Sequence, residues 1–323
     1  MLDYAIRRIL LLIPTVILGS MVLFFSMRVL PPQDAVEITL GPEVLQLDPG
    51  LADRQRRELG IYGSLPEQYV RWAKGFVTGD WGNSLVTRRP IQEELKNRIP
   101  VSMEISIIAL FFTWTISFPL GVLAAVKQDT WADYILRTGA YALDSLPSFV
   151  LAILLLTYLA VYFGWSPPVS FSYLWDDPLR HLMIMLLPTL IIAITSSGNL
   201  IRFTRTFLLE VLRQDYIRTA RSKGLSERTV MYRHALRNIA LPFITIVGAS
   251  IPTLLTSSAI IENLFSLPGM GRYLVGAAAK LDYPVVMTTT MFFSIIVLVT
   301  NLITDLSYAW ADPRVSYKRG GGS

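Results

Sequence analysis

Six long, almost uncharged apolar runs constrain this chain more than any other feature, at residues 9–29, 101–126, 138–163, 182–201, 241–261 and 285–305. As a helix, each can cross the roughly 30 Å hydrocarbon core of a bilayer, which takes about 20 residues. Within lipid every backbone N–H and C=O must find a partner inside the segment, so runs of this kind form helices. The expected fold class is an all-α membrane protein with six transmembrane helices. Composition agrees, since 52% of the 323 residues are hydrophobic and the mean hydropathy is +0.47, too apolar for an ordinary soluble chain.

The charges between the runs predict the topology. Arg7, Arg8, Lys127, Arg137, a basic loop at 206–240 and the tail fall on one side, and only Arg180, Arg272 and Lys280 fall on the other within short segments. Basic short loops stay in the cytoplasm, so both termini and the loop are expected there. The same bias accounts for the net charge of +5 without nucleic acid. No small-residue cleavage motif follows the first run, so residues 1–30 read as a retained helix. Residues 31–100 mix both charge signs with Gly and Pro and read as an extracytoplasmic domain. Residues 101–309 read as a five-helix core, and 310–323 as a cytoplasmic tail ending in an appended linker at 320–323.

Inside the outer domain, Asp48-Pro49 can open a helix that Gly60 ends. Ser64 and Glu67 make a capping box for a second helix through Tyr69, Trp72 and Phe76. Pro90 opens a third, expected to stop before Pro100. These residues either pack and turn the domain or touch substrate, and packing is the reading preferred.

Polar residues within the runs are the candidate pathway. Asp144 is an ionisable group at membrane depth, functional by default unless it lies near the interface, where charge costs little. Ser197 and Asn199 at the end of the fourth run, and Thr253, Thr256 and Ser257 in the fifth, suit either helix packing or a polar path. Glu104 and Asp305 complete the set of membrane carboxylates. With no Cys, and His only at 181 and 234, disulfide frameworks, thiolate metal sites and cysteine nucleophiles are excluded. There is no G-x-x-x-x-G-K-[ST], G-x-S-x-G or H-E-x-x-H, so no enzyme is expected, and no metal or cofactor on this chain.

The stretch 207–242, FLLEVLRQDYIRTARSKGLSERTVMYRHALRNIALP, is the densest in information. Leu209, Leu212, Tyr216 and Ala220 share one face of a predicted helix that Gly224 stops. Ser226 can cap a second short helix to Ala235, with Val230, Arg233, His234 and Arg237 at i, i+3, i+4, i+7. Arg218-Thr219-Ala220, Gly224 and Ile239-Ala240-Leu241-Pro242 resemble the loop by which permeases of ATP-binding-cassette (ABC) importers meet their ATPase. The general pattern has Glu-Ala-Ala, then Gly, then Ile-x-Leu-Pro. Here Arg-Thr-Ala stands in place of Glu-Ala-Ala and the second half is several residues longer, as in the dipeptide and oligopeptide branch. Gln68-Tyr69, Arg71-Trp72, Gly79-Asp80, Gly82-Asn83-Ser84 and Arg89-Pro90 also follow that branch. So does the run from Glu262 through Pro268-Gly269, then Asp282-Tyr283-Pro284 and Asp312-Pro313-Arg314.

The resemblance implies a type I ABC importer permease fold and alternating access driven by ATP. Coupling to the ATPase would fall to Arg218, Thr219, Ala220, Gly224, Leu225, Ser226, Glu227, Arg228, Arg233, His234, Arg237, Leu241 and Pro242. It implies a second homologous permease, two ATP-binding subunits carrying ATP and Mg, an extracytoplasmic peptide-binding protein, and membrane lipids around the chain in a bacterial inner membrane. The implied cargo is di- or oligopeptides, with nickel or glutathione as alternatives. A rival reading is an ion-coupled secondary transporter using Asp144, Asp305 and Glu104. Another is a non-transporting membrane anchor.

Overall fold

A computed structural model describes residues 2–29, 36, 49–58, 60–168 and 170–311. Regular structure among them is helical apart from one isolated antiparallel bridge, Asn83–Pro90. In order come α1 (Leu2–Val29), α2 (Pro49–Glu58), α3 (Leu65–Thr78), α4 (Ile91–Val126), α5 (Trp131–Ser145), α6 (Ser148–Phe163), α7 (Pro178–Leu212) and α8 (Asp215–Ser222). After α9 (Glu227–Thr229) and a π-helical turn (Val230–Ala235) come α10 (Leu236–Leu264), α11 (Met270–Ala279) and α12 (Tyr283–Ala311). The readings on Asp48 and on the tail from Asp312 fall outside the described residues.

Among the described residues, five helices are long and apolar enough to cross a membrane. The α5–α6 pair makes a sixth span if counted as one, although it bends by 95°. A single helix was expected over 138–163. Pro147 prevents that, since the residue before a proline avoids the α region. Leu146 is accordingly extended, at φ −99° and ψ 111°.

Prolines elsewhere fail to stop helices where the sequence suggested they would. α4 runs through Pro100, and the buried row Ile91, Leu95, Ser102, Ile105 and Ala109 keeps one phase across it. Burial on both sides of the proline outweighs one lost backbone bond. Likewise α10 starts at Leu236, ahead of the expected Leu241, and carries Pro242 inside it.

The chain packs as two units. One comprises Met1–Ala5, Met103–Leu267 and Thr300–Ser323. Its centre is α7, with 67% of its most apolar window buried against 39% for α10. At Gly198 an added Cβ would run into the Ala140 carbonyl oxygen, so glycine is what lets α5 and α7 approach. Two ion pairs tie the same helices, Asp133 to Arg205 and Asp144 to Arg202.

The other unit, Ile6–Ser102 and Pro268–Val299, is built on aromatic rings. Tyr69, Trp72 and Phe76 lie on one face of α3. The first two meet Phe24 of α1, and Phe76 meets Phe292 of α12. Ser64 N donates to Glu67 Oε2 at 2.9 Å, the capping box read from the sequence. Arg71 donates to the Gly60 carbonyl at 2.7 Å and lies over the Tyr62 ring. Asp282, 2% exposed, accepts Ser84 Oγ (2.5 Å) and Leu85 N (3.1 Å). The Gly82-Asn83-Ser84 and Asp282-Tyr283-Pro284 motifs are therefore two halves of one clasp. Nearby, burial pushes the Tyr273 hydroxyl up to about 12.

Candidate functional site

The loop after α7 has an apolar root and a charged tip. Leu208, Ile217, Ala220, Val230, Ala235 and Ile239 form one buried cluster with Ala125 at the end of α4. Residues 221–228 are all exposed beyond it. The break comes earlier than expected: Gln214 is extended and starts α8, so Leu209 and Leu212 belong to α7 while Tyr216 stays 44% exposed. The shared face predicted over 209–220 does not form, and Ile217 with Ala220 carries the burial instead.

Gly224 acts as read. Its φ is +77°, Gly224 N bonds Arg221 O (2.9 Å) and Leu225 N bonds Ala220 O (3.4 Å), the paired pattern that closes a helix on a left-handed residue. Across this turn Arg221 reaches Glu227 at 2.9 Å. Ser226 caps the next helix, accepting Thr229 N at 3.3 Å.

The second short helix is not separate. Helical backbone continues from Glu227 through the π turn into α10. A π turn inserts a residue into the helical repeat, so Val230, Ala235 and Ile239 stay on the buried face at spacings of five and four. Val230 therefore parts company with Arg233 and Arg237, which are exposed; His234 is half-buried. Arg218, Thr219, Leu225, Glu227 and Arg228 are exposed as well. Leu241 and Pro242 fall inside α10, a turn or more from the tip.

The pathway candidates do not form one cluster. Ser197 is fully buried, its hydroxyl bonded to Ala193 O, while Ser117 donates to its carbonyl (3.3 Å). It packs α4 against α7 and lines no open face of this chain. Asn199, Thr253 and Thr256 are exposed, Ser257 is half-buried, and Thr256 bonds its own helix at Pro252 O. Asp144, at the end of α5, meets Arg202 at 2.5 Å, with the guanidinium over the Tyr141 ring. Among the described residues no group of three or more His, Asp or Glu could hold a metal.

Sequence reasoning passed over Asp133 and Arg205. Asp133 is fully buried and accepts Arg205 Nε at 2.6 Å, Arg205 Nη2 at 2.7 Å and Asp129 N at 3.0 Å. The available signal was a pair of arginines at i, i+3, Arg202 and Arg205, in an apolar helix where each needs a counter-ion.

Comparison with known proteins agrees with this architecture. Residues 117–317 match the family model of the binding-protein-dependent transport system inner membrane component. The chain is 35% identical to the oligopeptide transport system permease protein AppB of Bacillus subtilis (strain 168), covering 98% of this chain and 100% of that one. It is 34% identical to the glutathione transport system permease protein GsiC of Escherichia coli (strain K12), with the same coverage. The fold matches a chain of the inward-facing MetNI methionine ABC transporter with a TM-score of 0.58 at 16% identity, over 69% of this chain and 99% of that one. The chain belongs to the family of binding-protein-dependent transport system inner membrane components. It has the ABC importer permease fold and serves as the membrane permease, a component that is not itself catalytic.

Proposed function

We propose that this permease imports di- or oligopeptides handed over by an extracytoplasmic binding protein. It works with a second homologous permease and two ATPase subunits that carry ATP and Mg. The observation that carries this reading is the loop between α7 and α10, whose apolar root is buried in the permease while its tip is charged and exposed. Arg218, Arg228, Arg233 and Arg237 offer charge-assisted contacts to an ATPase surface. Gly224 sets the bend, and the unbroken helical backbone from Glu227 to Leu264 carries a push on the tip into the membrane as one rod. The termini and this loop lie in the cytoplasm, and residues 31–100 face outward. Exposed Thr253, Thr256 and Asn199 contribute to the cargo path. The peptide cargo draws on the oligopeptide and glutathione permeases among the relatives. The ion-coupled reading is less favoured by family membership, and two of its carboxylates, Asp144 and Glu104, have basic partners in the fold.

The test is ATP hydrolysis and uptake in vesicles holding the whole complex, comparing the native chain with Gly224→Pro. Proline cannot adopt φ +77° and removes the N–H that bonds Arg221 O. Loss of uptake and of stimulation by the binding protein, with assembly intact, is the expected result. Uptake that survives the change, or runs without ATP, defeats the coupling assignment. Dipeptide, longer peptides, glutathione and nickel, offered in parallel, decide the cargo.

A further inference from the structure

The His181 ring is nearly closed off, at 4% side-chain exposure, and both of its nitrogens face acceptors. Nδ1 lies 2.8 Å from the Ser172 carbonyl oxygen and Nε2 lies 2.6 Å from Glu104 Oε1. The Phe171 ring packs edge-on against it. A carbonyl oxygen only accepts, so Nδ1 carries hydrogen. In a neutral ring Nε2 then has only a lone pair, and an ionised carboxylate also has only lone pairs to offer. At 2.6 Å those two acceptors would oppose each other. One further proton, on Nε2 or on Glu104, turns the conflict into a strong hydrogen bond.

We propose that Glu104 and His181 form a proton-binding site, and that the bound proton ties the outer half of α4 to the start of α7. The outward location rests on the topology proposed above; the site itself rests only on the geometry. The ligand is a proton from extracytoplasmic water, which reaches the pair through Glu104, whose side chain is 31% exposed. No other group is consumed or released. Loss of the proton breaks the link between the two helices.

Asp176, Asp177 and Arg180 stand in sequence beside the start of α7, and Glu262 stands near the end of α10, which packs on α7. Asp177 accepts the Arg180 backbone N–H, Arg180 donates to Ser170 Oγ, and Glu262 is fully buried. Among the described residues neither ring nitrogen has a partner beyond Ser172 and Glu104. The Arg180–Ser170 tether keeps the loop 170–177 on α7 whatever the proton does, so the change is confined to the link with α4.

The chain contains two histidines and no cysteine, which makes the test direct. With ¹⁵N-labelled histidine and His234→Gln in the full chain, a single ring remains to be read by NMR, and infrared spectroscopy reads the Glu104 carboxyl. The expected result is either an imidazolium or a neutral Nδ1–H ring beside a protonated Glu104. In Glu104→Gln the amide donates to Nε2, and the additional proton disappears. An Nε2–H tautomer, or a neutral ring beside an ionised Glu104 throughout the range from about pH 5 to about pH 8, overturns the proposal. Spin labels at Met103→Cys and Leu182→Cys, both exposed positions, then follow the two helices beside the pair. The distance should lengthen at the pH where the proton leaves in the native pair and stay constant in Glu104→Gln. A native distance that does not change through proton loss defeats the tie between the helices.

Discussion

Replacing Arg205 with Met should destabilise the permease more than removing its partner carboxylate does. Asp133 has no exposed surface, and its carboxylate depends on two Arg205 bonds of 2.6 and 2.7 Å plus one from Asp129 N. Met keeps most of the apolar stem but leaves the carboxylate with one backbone donor. Breaking a buried pair from one side costs about 3–5 kcal/mol, because the abandoned charge remains desolvated. The reverse change, Asp133→Leu, leaves Arg205, which is 15% exposed and partly hydrated. It should cost about 1.5–3 kcal/mol, the worth of hydrogen bonds to a charged group. The double variant removes both charges and should fall within about 1 kcal/mol of the native protein, since apolar replacement of a buried pair is often neutral. Equilibrium unfolding by SDS in mixed micelles, followed by circular dichroism, gives all four corners of the cycle. Additive losses, or an Arg205→Met cost below about 1 kcal/mol, would refute the reasoning and mean that water reaches Asp133.

Gly198→Ala should weaken the same α5–α7 contact. Alanine gains about 1 kcal/mol in helix propensity, but its Cβ would collide with a backbone oxygen that cannot swing aside. Overpacking of this kind costs about 1–3 kcal/mol, so a net loss is expected in the same unfolding assay, and a gain would contradict the close approach. Asp282→Asn should loosen the turn over residues 82–90, because the carboxylate there accepts Ser84 Oγ and two backbone N–H groups. Limited trypsin digestion at the exposed Arg88 should then run faster than in the native chain, and an unchanged rate would show that the clasp is dispensable.

The membrane-spanning helices of this chain were legible because they depend on local chemistry. A run of apolar residues long enough to span lipid must be helical whatever surrounds it. Gly224 was legible for the same reason, since a left-handed residue after a helix favours glycine wherever it occurs. Ser64 with Glu67 is another local signal that the fold obeys.

The features that escaped are those set by partners distant in sequence. Pro147 bends a span by 95° while Pro100 and Pro242 lie inside continuous helices. A proline's local cost is similar at all three, and the packing available on each side decides the result. The π turn at Val230–Ala235 lets Val230, Ala235 and Ile239 all bury, and periodicity in the α-helical repeat assigned the face differently. Asp133 and Arg205 are 72 residues apart. Glu104 and His181 are separated by 77, and Ser84 and Asp282 by 198. Local chemistry in the chain was enough to show membrane-spanning helices and a basic, glycine-broken loop. Which carboxylate met which base was decided only by the tertiary structure, because burial and charge pairing depend on which helices come together.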